Sequence, residues 1–219
     1  MQTRNLLGEE LNKLRHEMTL MSSRVEEDLG KALAMLQTGN VELGKEVKES
    51  GKIVDALQLK IEDMALILIA TQQPVARDLR ELITVFKITA NLERIGDHGI
   101  HLAKIAKKLA DRPAFRSMER IERMAQTGQE MLRAAFSAYL AQDPDAAREV
   151  AAMDDKIDSE HKALTEEMLG LMKEKPKLVK AAARLLRLSG YMERLGDHIT
   201  NICEGVIYMV RGRHEELND

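Results

Sequence analysis

The chain has 219 residues, of which 3% are aromatic and 32% charged, and its formal net charge is -3. Such a composition is typical of long amphipathic helices rather than of sheets. It lacks the basic character of nucleic-acid-binding proteins, so nucleic acid is not an expected partner. The single cysteine, Cys203, excludes an intrachain disulfide and fits a reducing compartment.

Membrane-targeting signals are not evident in the sequence. The N-terminus carries no apolar signal core, and the most apolar run, residues 64–70, is too short to span a bilayer. We therefore expect a soluble, cytoplasmic protein without a membrane span, whose membrane association, if any, is peripheral and occurs through partners.

Glycine and proline divide the chain into six segments of roughly 30 to 38 residues, since both residues interrupt helices. Gly39-Asn40 suits the C-terminal cap of a helix, and Asp143-Pro144 suits an N-cap followed by a first helical residue. The remaining predicted breaks are Pro74, Pro113 and Pro176.

Every segment carries apolar residues at helical spacing. The apolar positions of the third and sixth segments superpose at an offset of one hundred residues, as in Leu92 and Met192 or Ile95 and Leu195. Short connections make neighbouring helices antiparallel. The sequence therefore predicts an all-α fold of two tandem, pseudo-repeated, antiparallel three-helix bundles, residues 1–111 and 114–219. The alternative is a single six-helix bundle.

A six-residue motif occurs at both equivalent positions, as ERIGDH at 93–98 and ERLGDH at 193–198. Each copy places a glutamate and an aspartate one helical turn apart, so both carboxylates lie on one helix face. On a helical wheel this face points away from the apolar stripe. We expect a surface site rather than an inward-facing di-iron centre, which would use Glu-x-x-His motifs.

The fifth segment offers a second acidic pair, Asp154 and Asp158, which antiparallel packing brings near Glu193 and Asp197. Converging carboxylates repel one another unless a cation binds between them. Alternatively, Arg94 and Arg194 neutralise the acidic side chains, and these form an ordinary solvated helix face.

The first repeat is less complete. Aligning 53–55 with 156–158 places Asp55 opposite Asp158 but Gly51 opposite Asp154, so one carboxylate is missing. His101 stands where the second copy has Asn201, and imidazole suits transition metals better than magnesium. The candidate metal-binding residues are Asp55, Glu93, Asp97, His101, Asp154, Asp158, Glu193, Asp197 and Asn201.

Gly96 and Gly196 recur in the middle of the repeated helices, where glycine costs about 1 kcal/mol relative to alanine. They indicate either a close approach by a neighbouring group or simple inheritance through duplication. No phosphate-binding glycine loop, nucleophile elbow or Cys-x-x-Cys motif occurs, so catalysis is not expected.

The two motif helices, 92–98 and 193–208, together with the turn at 73–80, resemble the PhoU family of bacterial phosphate-transport accessory proteins. The resemblance covers nearly the whole chain. It implies two similar three-helix bundles with surface metal clusters of iron, zinc, manganese or magnesium. It assigns Asp154, Asp158, Glu193 and Asp197 to one cluster, and Asp55, Glu93 and Asp97 to the other.

The resemblance also implies a function. The expected protein is a non-enzymatic adaptor, often dimeric, between the ATPase subunit of a phosphate ABC transporter and a phosphate-sensing histidine kinase. It would repress phosphate-starvation genes when phosphate is plentiful. The alternatives are a metal-handling helical carboxylate protein, which rapid ferroxidase turnover would reveal, and a purely structural coiled-coil adaptor, which would purify without metal.

Overall fold

The computed structural model describes residues 2–109 and 118–218, with side chains from residue 6 in the first range and from residue 119 in the second. In those residues a 3-10 turn, Pro176–Leu178, precedes the last helix. The α-helices are α1 Gln2–Thr38, α2 Val41–Gln72, α3 Ala76–Leu109, α4 Met118–Ala141, α5 Pro144–Ala151, α6 Asp154–Glu174 and α7 Val179–Arg211.

The predicted helix caps are confirmed. Gly39 ends α1 with a positive φ of 71°, a conformation that glycine adopts without strain. The side chain of Asn40 then accepts a hydrogen bond from the amide of Glu42 at 3.2 Å. Asp143 caps α5 by accepting from the amides of Asp145 and Ala146, both at 3.0 Å. Pro113 lies outside the described residues.

The prediction of one continuous fifth helix is wrong, because the structure divides that segment into α5 and α6. The amide of Met153 donates to the carbonyl of Val150 at 3.0 Å, an i→i−3 bond that tightens the helix end. Residues 152 and 153 form a turn between the two helices. Asp154 consequently begins a new helix, and its side chain is directed toward α7.

The two predicted three-helix bundles are confirmed. Helices α1, α2 and α3 pack against one another, and so do α4, α6 and α7, while α5 covers α4 and α7. The predicted boundaries at residues 111 and 114 lie outside the described residues, so the division into two domains stays a prediction. One continuous hydrophobic core extends through both halves, because α3 packs on α7 and α1 on α4.

Helices α3 and α7 run antiparallel and place the two motif copies around a pseudo-twofold axis. Arg80 donates to the carbonyl of Met209 at 3.2 Å, and further along His198 contacts the side-chain oxygen of Asn91 at 2.9 Å. Between these contacts, a Cβ added to Gly205 would lie 3.2 Å from Thr84. The acidic pairs of the two halves consequently lie on opposite sides of this shared seam.

A buried ion pair within the first half also contacts the second half. Arg15 of α1 donates to both carboxylate oxygens of Glu81 of α3, at 2.7 and 2.8 Å. Gln142, at the end of α4, donates to the same carboxylate at 3.3 Å. Glu81 is 3% exposed, so its negative charge depends on these donors for compensation.

None of the described helices combines the length and the apolar character needed to cross a membrane.

Candidate metal centre

Four carboxylates of the second half lie near one another: Asp154 and Asp158 on α6, and Glu193 and Asp197 on α7. We call them the second-half cluster. Burial raises the pKa of Glu193, and the neighbouring Asp197 raises it further. Burial and the charge of Asp197 likewise raise the pKa of Asp158. The side chains are thus close enough to oppose one another's ionisation, as the repeated spacing predicts.

Asp154 is not the surface residue that the sequence predicts. It is 8% exposed, and its Oδ1 atom has no hydrogen-bond partner. Its Oδ2 accepts only a long hydrogen bond from Thr200, at 3.4 Å. Burial, followed by the charges of Asp158 and Asp197, raises the pKa of Asp154 to about 7. The helical wheel could not predict this burial, because it considers one helix at a time.

Gly196 explains how Asp154 fits against α7. A Cβ added to Gly196 would coincide with Asp154 Oδ1 and lie 2.8 Å from the carboxyl carbon. In the first half, a Cβ on Gly96 would lie 3.6 Å from Val54, which is an ordinary contact. The recurrence of the glycine therefore reflects close approach of a side chain in the second half only.

We expect the two glycines to respond differently to alanine. Gly196→Ala should destabilise the protein by about 1 to 3 kcal/mol, because the new methyl group must displace Asp154. Gly96→Ala should be neutral or stabilising by up to about 1 kcal/mol, since alanine favours the helix. Urea denaturation of both variants measures the difference, and equal destabilisation would contradict this account of Gly196.

The first half has the smaller group of Asp55, Glu93 and Asp97. Burial raises the pKa of Glu93, and the charges of Asp97 and the exposed Asp55 contribute to that increase. Arg94 lies 3.5 Å from Glu93, so an arginine partly neutralises this group. In the second half, Arg194 makes no salt bridge within the described residues.

The missing fourth carboxylate of the first half has a structural cause. Gly51 and Ile100 occupy the positions that Asp154 and Thr200 occupy in the second half. A Cβ on Gly51 would lie 2.7 Å from Ile100 Cδ1, so the isoleucine fills the space of an aspartate there. Glycine and isoleucine thus stand where the second half has the hydrogen-bonded pair of Asp154 and Thr200.

The remaining candidate ligands are His101 and Asn201. The His101 ring stacks on Tyr191 of α7, with centroids 4.8 Å apart. Its Nδ1 donates to the Asp97 carbonyl at 2.8 Å, which orients the ring toward the α3–α7 seam. Asn201 is half-buried. Metal ligation by either residue stays a prediction.

Among the described residues, no group of three or more His, Cys, Asp or Glu side chains is placed to hold a metal ion. The second-half cluster nevertheless fits a cation in its chemistry. A buried carboxylate oxygen without a partner, beside three further carboxylates, lacks the compensation that buried charge requires. The first-half group does not fit in the same way, because Ile100 occupies the equivalent space.

A cluster of imidazole and phenol rings lies on the pseudo-twofold axis, and the sequence alone did not predict it. The His98 ring lies 5.3 Å from that of His198 and 5.5 Å from that of Tyr191. Neither of its nitrogens has a hydrogen-bond partner. Burial, and then the charge of His198, lowers the pKa of His98 to about 4, so this ring is neutral at pH 7. The hundred-residue repeat could have suggested that these two histidines meet.

Comparisons with known proteins agree with the fold and its duplication. The model of a family described as "PhoU domain" matches the chain twice, at residues 18–106 and 121–206. A phosphate-specific transport system accessory protein PhoU homolog of Clostridium acetobutylicum is 34% identical, over 99% of this chain and 100% of the relative. A homolog of the same name from Deinococcus radiodurans is 33% identical, over 89% and 92%.

Solved structures are similarly close. The crystal structure of PhoU from Pseudomonas aeruginosa has a TM-score of 0.90 at 30% identity, covering 94% of this chain and 99% of that one. The phosphate transport system regulatory protein PhoU of Streptococcus pneumoniae has a TM-score of 0.90 at 28% identity, covering 96% and 99%.

Proposed function

This chain belongs to the PhoU family, and on that premise we propose that it is a non-enzymatic regulator of phosphate uptake. The names of its relatives, which describe accessory proteins of a phosphate-specific transport system, support this proposal. We infer that the protein acts in the cytoplasm as an adaptor. Its partners would be the ATPase subunit of a phosphate ABC transporter and a phosphate-sensing histidine kinase, and it would repress phosphate-starvation genes at high phosphate.

We further propose that the second-half cluster binds a divalent or transition metal ion. The observation that supports it best is Asp154 Oδ1, which is buried without a partner among carboxylates that raise its pKa. Carboxylate oxygens suit Mg²⁺ and Mn²⁺, while iron and zinc also accept them. Side-chain rotamers must change for three or more carboxylates to reach one ion.

We expect the second half to bind metal more tightly than the first. It offers four carboxylates, whereas Gly51 leaves the first half with three, and each lost charged ligand weakens a hard-cation site. Asp197→Ala should therefore remove more bound metal than Asp97→Ala. Metal analysis of protein purified without chelator or nickel resin measures this. Equal loss from both variants, or none from either, would contradict the ligand assignment.

The regulatory role has a separate test. A Glu193→Gln, Asp197→Asn double variant should remain helical by circular dichroism, because both residues are only half-buried. It should lose metal and, if the metal-bound surface contacts a partner, should also lose repression in a phosphate-starvation reporter strain at high phosphate. Full repression without metal would separate signalling from the metal. Collapse of the fold would show that these side chains stabilise the bundle.

Self-association into a homodimer is also a proposal, and an apolar row on α2 supports it. Leu59, Leu66 and Ile67 are 65%, 58% and 60% exposed. Their spacing places them along one side of the helix. Exposed apolar side chains of this kind can be covered by a second copy of the chain. Light scattering coupled to size-exclusion chromatography measures the oligomeric state.

A further inference from the structure

A cavity of about 400 Å³ lies between α6 and α7 and shares Glu193 with the second-half cluster. Arg187, Tyr191, Glu193 and Arg194 line it from α7, and His161 lines it from α6. The cavity thus contains two permanent cations, one carboxylate and two side chains that can hydrogen-bond. Its volume is within the range of small-ligand sites.

The two arginines are available to a ligand. They lie seven residues apart, on the same side of α7. Neither makes a salt bridge within the part of the chain that the structure describes. Arg187 only donates to the Tyr191 hydroxyl, at 3.4 Å, which holds its guanidinium at the cavity wall. A guanidinium group presents several N–H donors in a planar arrangement that matches the oxygens of a tetrahedral oxyanion.

Glu193 restricts which oxyanion can enter. An ionised carboxylate only accepts hydrogen bonds, and it repels an anion that brings no proton. Hydrogen phosphate carries a hydroxyl group that can donate to this carboxylate, whereas sulfate has none at neutral pH. We propose that this cavity binds hydrogen phosphate, with Arg187 and Arg194 donating to its unprotonated oxygens and Glu193 accepting from its hydroxyl group. This inference deepens the proposed regulatory function but does not require the metal.

The first half provides matched control residues, because its equivalent basic side chains already contact an aromatic ring or a carboxylate. Lys87, equivalent to Arg187, lies over the Tyr208 ring at 5.4 Å. Arg94, equivalent to Arg194, lies 3.5 Å from Glu93. Gln58, which aligns with His161, donates to Glu62 at 2.9 Å. Substituting Arg94 therefore removes the same charge from the other side of the pseudo-twofold axis.

Isothermal titration of the full chain with inorganic phosphate at pH 8, after chelator treatment and again with Mg²⁺, tests the proposal. We expect saturable binding of one phosphate per chain. Arg187→Gln and Arg194→Gln should each weaken it by about tenfold or more, as expected for loss of a charge-assisted hydrogen bond. Arg94→Gln should bind as the wild type does. Circular dichroism checks that each variant is folded.

Ligand selectivity provides an independent readout. Sulfate should not compete with phosphate at equal concentration. Neither should a small phosphomonoester, which loses its second proton at about pH 6 and has no hydroxyl group on phosphorus at pH 8. Glu193→Gln replaces an acceptor with an amide that also donates, so this variant should bind sulfate.

Three results would overturn the inference: no saturable phosphate binding, equal weakening by Arg94→Gln, or equal competition by sulfate in the wild type. The metal proposal is tested separately by the same titrations. Phosphate binding by a protein that binds no metal would support this inference and contradict the metal site. Metal binding without phosphate binding would support the metal site and contradict this inference.

Discussion

Asp154→Asn is expected to raise the free energy of unfolding of the metal-free protein at pH 8 by roughly 4 kcal/mol. The pKa of Asp154 is about 7 in the folded protein, chiefly because the carboxyl is buried, against an ordinary value of 3.8. Between those two pH values the folded chain holds a proton that the unfolded chain has released. The free energy of unfolding of the wild type therefore falls as pH rises through this window. Asparagine at position 154 does not ionise, so the variant avoids this loss of stability.

Chemical denaturation in chelator at pH 5 and pH 8 measures the effect. The wild type should be less stable at pH 8, whereas Asp154→Asn should depend less on pH. Asp158→Asn is the matched control, because Asp158 is more exposed than Asp154 and its charge is better solvated. An equal pH dependence of the wild type and Asp154→Asn would contradict the burial of an ionisable Asp154.

Arg15→Ala is expected to destabilise the protein by about 3 kcal/mol, because it leaves the buried Glu81 carboxylate with only the Gln142 amide as a donor. Arg15 is 29% exposed in its side chain, so water can offset part of the loss. Since the pair joins α1 to α3, the loss affects packing within the first half, where Gln142 at the end of α4 also contacts Glu81. Urea denaturation at pH 7 measures the change.

Arg133→Ala is the matched control for Arg15→Ala. Arg133 of α4 also pairs with α1, through Glu26 at 2.5 Å, but its side chain is 64% exposed. An exposed ion pair contributes about 1 kcal/mol or less. An additional Glu81→Leu substitution in Arg15→Ala should recover most of the lost stability, because it removes the unpaired charge. Similar effects of Arg15→Ala and Arg133→Ala would contradict the role of Glu81 burial.

The helices, their caps and the duplication could be predicted because they depend on local patterns. Apolar spacing, Gly39-Asn40 and Asp143-Pro144 act within a few residues. The division between α5 and α6 was missed, because no glycine or proline occurs at Ala152-Met153. Packing of both helices on α7, rather than a breaker residue, accompanies that division.

The candidate site was only partly predictable for a related reason. The one-turn spacing of Glu193 and Asp197 places both on one face, and the antiparallel neighbour brings in Asp158. The exposure of each carboxylate depends on which side chains of the facing helix cover it. Asp154 can be buried because Gly196 has no side chain. In the first half, Gly51 stands in place of this aspartate, and Ile100 fills the space beside it.

The sequence by itself determined the all-α class, the twofold repeat and the presence of paired carboxylates on two helices, since these follow from residue type and helical period. Only the tertiary structure decided which carboxylate is buried without a partner and which arginines border a cavity. Both depend on contacts between helices distant in sequence. A single Cβ or methyl group there determines whether a charged side chain is covered or solvated.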